Sequence, residues 1–204
     1  MKNTIDTPVD APAANPIPLG SACFAIAVFL FSGYLWGSLH AESVVATALF
    51  VGGLGMLLAA VAAYRRGDTF DATWMGAYSV FWASVAFYLW FFAGRAPNST
   101  GDLSWFSFAW GVFTAYIAVV SLRARSPLVS GQLAAFFLLF LFLWIGSTLI
   151  AAPWTNRVAA IAGIISAFVA AIESLGTAWV STTGTAPILT RLQGTPHTPH
   201  TGVA

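Results

Sequence analysis

Glu173 is the one ionisable side chain in an otherwise uncharged stretch, Val158 to Val180. A carboxylate in such a run marks a transport path, a proton relay or a buried hydrogen bond rather than a solvated surface. It is a candidate to bind a coupling proton, or to hold Ser or Thr hydroxyls of a neighbouring helix. Few other reactive groups accompany it. His40 falls between apolar runs, His197 and His200 lie in "PHTPH" near the C-terminus, and Cys23 is the single cysteine. No Asp falls inside any apolar run, so a Ser–His or paired-Asp protease centre, a haem ligand pair and a thiolate metal site are all unsupported. No enzymatic activity, cofactor or metal is expected. The runs instead hold aromatic rings, Ser and Thr, a lining suited to small polar solutes.

The elements that position these groups follow from composition. Of the 204 residues, 58% are hydrophobic and 7% charged, against about 25% charged in typical soluble domains. The chain is expected to be embedded in lipid. Six runs can be delimited: 19–39, 44–64, 72–94, 103–122, 128–152 and 158–180. Each provides the roughly 20 residues that an α-helix needs to cross about 30 Å of hydrocarbon. The expected fold is an all-α membrane protein of six transmembrane helices, residues 15–180, between disordered tails at 1–14 and 181–204. Those tails are rich in Pro, Thr, Gly and Ala, too poor in apolar surface to form a core. The first eighteen residues lack the layout of a cleavable signal, so the first helix is expected to stay in the mature protein.

Basic residues fix the expected orientation, since cytoplasmic loops carry an excess of Lys and Arg. Lys2, Arg65, Arg66, Arg123, Arg125 and Arg191 fall on one side, whereas only Arg95 and Arg157 fall on the other. Both termini are therefore expected in the cytoplasm, and the protein in the cytoplasmic (inner) membrane as a multi-pass chain. The net charge is only +1, and no nucleic-acid partner is expected.

With that orientation, helices one, three and five all start at the cytoplasmic surface. Phe24, Tyr78 and Phe136 then lie roughly 8, 9 and 12 Å deep, at about 1.5 Å per residue. Three aromatic side chains can meet in one layer and narrow a path to the size of a very small solute, excluding hydrated ions.

Two further patterns concern helix starts and packing. In "NPIPLG", Asn15 can cap the first helix, while Pro16 and Pro18 suit its first turn, where a missing N–H costs nothing. The same segment, Asn15 to Gly20 with Leu19, could present backbone donors to an anion at the positive end of the helix dipole, as a vestibule. Small residues allow close helix approach in lipid. Helix six spaces Ala159, Gly163, Ala167 and Ala171 by four, Gly33 and Gly37 repeat the spacing in helix one, and Gly52 and Gly53 narrow helix two.

"NPIPLG" before an apolar helix, then "YRRGDTF" leading into "AYSVFW", then "WGVFT", resembles the acetate uptake transporter family, from Asn15 to about Leu192. The resemblance implies six helices per protomer, a hexamer, and a separate solute path in each protomer. The expected partners are a small carboxylate solute, membrane lipid and further copies of the chain. It also implies a constriction of aromatic or bulky apolar residues on helices one, three and five, which by motif fall on Phe24, Tyr78 and, through a looser alignment, Phe136. A Glu at the position of Glu173 is shared. Met56, Ala63 and Ser147 depart from familiar members, each with less hydrogen-bonding capacity. The implied function is transport of acetate, other small monocarboxylates or succinate, by proton symport or as an anion channel. Two alternatives stand beside it: a urea or short-chain amide channel of similar architecture, faintly suggested by "FVGGLG" and "IESLGTAW", and a non-transporting membrane scaffold.

Overall fold

The structure, a computed structural model, describes residues 14–92, 99–150 and 152–185. His197, His200, Lys2, Arg95 and Arg191 lie outside the described residues, as do nearly all of the two tails. Among the described residues the fold is all helical, without strands. Helix α1 spans Ile17–Trp36. Helix α2 (Ala41–Ala46) continues through a π-helical stretch, Thr47–Gly55, into α3 (Met56–Arg65). Then follow α4 (Thr69–Phe91), α5 (Ser99–Ala124), α6 (Pro127–Ile145), a short π segment Gly146–Ile150, and α7 (Pro153–Thr183).

Among the described residues, five helical rods are long and apolar enough to cross a membrane: Ile17–Trp36, Ala41–Arg65, Ser104–Ala124, Pro127–Leu149 and Pro153–Thr183. Helix α4 is long enough but less apolar, because it carries Asp71 together with Trp74, Trp82, Trp90, Tyr78 and Tyr88. Such rings combine a large apolar body with a polar tip.

Contacts climb in step along α1 and α4, from Gly20 against Met75, through Phe24 against Tyr78, to Phe31 against Trp82. The two helices are therefore parallel. Tyr78 against Phe136 and Phe81 against Phe140 extend the same direction to α6. Helix α7 packs on both α1 and α6. At the crossing Gly163 is required: a Cβ there would overlap the Ser32 hydroxyl and come within 2.7 Å of Leu139.

Several expectations change in detail. Gly37 is no packing residue; it ends α1 at φ 88°, in left-handed geometry, with open space where a side chain would begin. Glycine serves helix packing and helix termination equally, and here the second use prevails. Gly33 faces Leu39 of the following turn rather than another helix. Ala159, Gly163 and Ala167 are buried, whereas Ala171 is exposed. A strict spacing of four drifts around a helix of 3.6 residues per turn, so burial passes to Ala170, Glu173 and Gly176. Gly52 and Gly53 lie in the π stretch, where Gly52 receives the Trp82 side chain: a Cβ would sit 2.5 Å from its Cγ. Helix α4 starts at Thr69, which draws Asp71 into its first turn, and α7 runs three residues past Val180.

Candidate functional site

Phe24, Tyr78 and Phe136 are each 0% exposed. Their ring centroids lie 5.5 Å (Phe24–Tyr78), 4.9 Å (Phe24–Phe136) and 5.4 Å (Tyr78–Phe136) apart. These are contact distances for edge-on aromatic packing, so the three rings close a triangle with no open bore between them. The sequence separates these residues widely; parallel α1, α4 and α6 bring them to one layer.

The ring positions are braced by their neighbours. Tyr78 shares a 2.8 Å hydrogen bond with Thr114 of α5, whose hydroxyl also donates to the Trp110 carbonyl at 2.7 Å. Trp74, one turn before Tyr78, contacts both Phe24 and Tyr78. Its indole N–H donates to Asp71 Oδ1 at 2.9 Å. Asp71 in turn meets Arg125, which donates through Nε to Oδ1 at 3.1 Å and lies 2.9 Å from Oδ2. Asp68, whose Oδ1 caps α4 by accepting from the Asp71 N–H, also pairs with Arg125. Burial opposes the Arg125 charge, but Asp71 and Asp68 outweigh it and hold the guanidinium pKa above its ordinary value. The line Arg125–Asp71–Trp74 thus ties the α5–α6 junction to the aromatic layer.

Beyond the layer, toward the C-terminal ends of α1, α4 and α6, lies a cavity of about 460 Å³. Phe31, Tyr34, Tyr88 and Ser107 are among its lining residues, and so are Phe81 and Phe140. Both of the latter contact Phe136, so the aromatic cluster forms the floor of this cavity.

On the opposite side of the layer the polar groups gather. Glu173, 5% exposed, accepts from the Ser21 hydroxyl at 3.0 Å. Ser174 donates to the Pro18 carbonyl at 2.7 Å, and the Asn15 amide approaches Ser181 at 3.4 Å. The "NPIPLG" segment is thus fastened to α7. Asn15 Oδ1 accepts from the Ile17 N–H at 3.1 Å, so it caps α1. Pro16 and Gly20 are buried, Gly20 against Met75, whereas Leu19 is exposed. Gln132, one turn before Phe136, is fully buried, and its amide finds no hydrogen-bond partner among the described residues. Sequence reasoning did not single out Gln132, Ser21, Thr114 or the Arg125–Asp71–Trp74 line. For Gln132 a signal existed, a lone carboxamide in an apolar run. The pairing of Arg125 with Asp71 had none, since the two are far apart in sequence.

Among the described residues no group of His, Cys, Asp and Glu could hold a metal ion. The arrangement is that of a helical membrane protein whose bundle closes around an aromatic cluster, with a cavity on one side and polar groups on the other. The chain belongs to the GPR1/FUN34/yaaH family, whose model matches residues 1–189. It is 33% identical to acetate permease A of Emericella nidulans over 158 residues, 71% of this chain and 50% of that protein. The chain therefore spans about half the length of that fungal relative. It is also 32% identical to the succinate-acetate/proton symporter SatP of Escherichia coli over 133 residues, 63% of this chain and 69% of the symporter. The solved structure of the bacterial acetate channel SatP superposes with a TM-score of 0.77 at 26% identity, covering 85% of this chain and 96% of that one.

Proposed function

We propose that this protein moves acetate or similarly small monocarboxylates across the cytoplasmic membrane, along a path through the bundle of each protomer. The observation that carries this reading is the closed triangle of Phe24, Tyr78 and Phe136, with a cavity beyond it and polar groups before it. Three rings in contact pass only a solute small enough to slip between them as they turn, and hydrophobic walls exclude hydrated ions. Acetate, compact and partly apolar, suits that filter. The names of the relatives, an acetate permease and a succinate-acetate/proton symporter, support the same substrate class.

In this reading α4 is the sixth span, both termini face the cytoplasm, and the "NPIPLG" segment with Asn15, Pro16, Pro18, Leu19 and Gly20 borders the cytoplasmic vestibule. The protomers assemble as a hexamer, in keeping with the family resemblance and with exposed apolar side chains such as Leu58 and Phe168 on the outer surface. Glu173 and Ser174 act first as the clamp between α7 and the start of α1.

The test is uptake of labelled acetate into proteoliposomes of the purified protein, with and without an inward proton gradient, against protein-free liposomes and with urea in parallel. Protein-dependent acetate uptake is expected. Accumulation driven by the gradient beyond the liposome control assigns symport, and equilibration alone assigns a channel. Urea flux without acetate flux overturns the proposal in favour of an amide channel, and no flux of either leaves a scaffold.

A further inference from the structure

On the polar side of the aromatic layer, most polar side chains already have partners. Ser21 donates to Glu173, the Trp74 indole donates to Asp71, and Asp71 is paired with Arg125. Gln132 differs. It is 0% exposed, and both Nε2 and Oε1 are without a hydrogen-bond partner among the described residues. Its backbone carbonyl is engaged, accepting from the Ser166 hydroxyl at 2.9 Å, so only the side chain is left over. Buried polar side chains in native proteins are nearly always bonded, and an exception calls for a physical reason. A Leu or Met at this position would fill the space without that penalty.

The position supplies a reason. Residues four apart lie on one helical face, and in a helix Cβ atoms tilt toward the N-terminus. Gln132 therefore sits on the face of α6 that delivers Phe136 to the ring, one turn nearer the polar side. Trp82 also carries a buried N–H without a partner, but its edge is pressed against Gly52 of the π stretch rather than on that face.

We propose that the Gln132 carboxamide is the group that receives the carboxyl end of the solute where it meets the aromatic layer; this rests on the monocarboxylate reading above. A carboxamide offers two N–H donors and one carbonyl acceptor. An N–H donates to an oxygen of the carboxylate, and the carbonyl accepts from the O–H of the protonated acid, so one neutral side chain serves both forms. Neutrality matters, because a path must bind its solute weakly enough to release it. A Lys or Arg at this depth would hold the anion and would itself be costly in the membrane.

Gln132→Met keeps the length and shape of the side chain and removes the donors and the carbonyl. Two readouts on the full-length protein decide the matter: the half-saturating acetate concentration for uptake into proteoliposomes, and the melting temperature in detergent with and without acetate. The expected result is a roughly tenfold rise in half-saturation, the loss of one hydrogen bond to a charged group. The melting temperature without acetate should be equal to or above wild type, and the stabilisation that a given acetate concentration confers on wild type by mass action should shrink, recovering only at about tenfold more acetate. Unchanged half-saturation overturns the inference, as does a fall in melting temperature without acetate, which would make Gln132 a structural residue. A wild type that carries acetate beside an unaltered Q132M protein removes this inference alone, whereas a wild type that carries none removes the transport reading with it.

Discussion

Phe24→Ala is expected to let propionate, lactate and succinate compete with acetate roughly tenfold better than in wild type, the low end of the discrimination an apolar pocket makes against a solute one methylene larger. Phe24 touches Tyr78 and Phe136 directly and Trp74 at its rim. Removing its ring breaks two sides of the triangle at once, while Tyr78 stays anchored by its hydrogen bond to Thr114. The change also removes a fully buried side chain, which in soluble cores costs about 3–5 kcal/mol. Selectivity must therefore be compared in protein that assembles as wild type does. Phe29→Ala is the control: Phe29 is 48% exposed on the same helix and packs on Phe168 of α7, away from the layer. Competition assays on labelled acetate uptake give the comparison. Equal selectivity in Phe24→Ala and wild type would remove Phe24 from the constriction.

Arg125→Ala should produce the largest loss of stability among single substitutions at the polar side of the layer. Asp71 is 2% exposed, and its Oδ2 has no partner besides Arg125 among the described residues. Breaking a buried pair by removing one member leaves an uncompensated charge and costs roughly 3–5 kcal/mol, far above the 0–1 kcal/mol typical of surface pairs. The guanidinium also stacks over the Phe70 ring at 5.0 Å, and the same substitution abolishes that stacking. Adding Asp71→Asn to Arg125→Ala should recover much of the loss, because the orphaned charge is then gone. A double-mutant cycle on thermal unfolding in detergent measures the coupling. Additive effects of the two substitutions would show that Arg125 and Asp71 do not act as a pair.

The aromatic layer was legible in the sequence for a simple reason. Depth along a membrane helix is linear in residue number, and parallel helices that start at one surface keep equal depths aligned. Phe24, Tyr78 and Phe136 needed only that rule, and the structure brings their rings together. The cap at Asn15 was equally local. What lay hidden depended on contacts across the bundle. Arg125 read as one of several basic residues marking orientation, because nothing in its neighbourhood reveals Asp71. Gly37 and Gly163 look alike in sequence, yet one ends a helix and the other admits a neighbour. The π stretch around Gly52 escaped because a local widening leaves no periodic signature in a run that is apolar on every side. Helix α4 is informative in the opposite sense. Its tryptophans and tyrosines lower its apolarity, and Trp74, Tyr78 and Trp82 turn out to be among its most buried residues.

If solute passes through this layer, a cysteine placed there is reachable from the path. The native Cys23 is buried beside the layer, with its sulfur against Gly55, so Cys23→Ala first removes the background. In that protein, Phe136→Cys should react with a small membrane-impermeant thiol reagent, the reaction should block acetate uptake, and acetate should slow it. Phe29→Cys, on the outer surface of the bundle, should show neither blocked uptake nor protection by acetate. A Phe136→Cys protein that carries acetate while its thiol stays unreactive would place the path elsewhere and contradict the account.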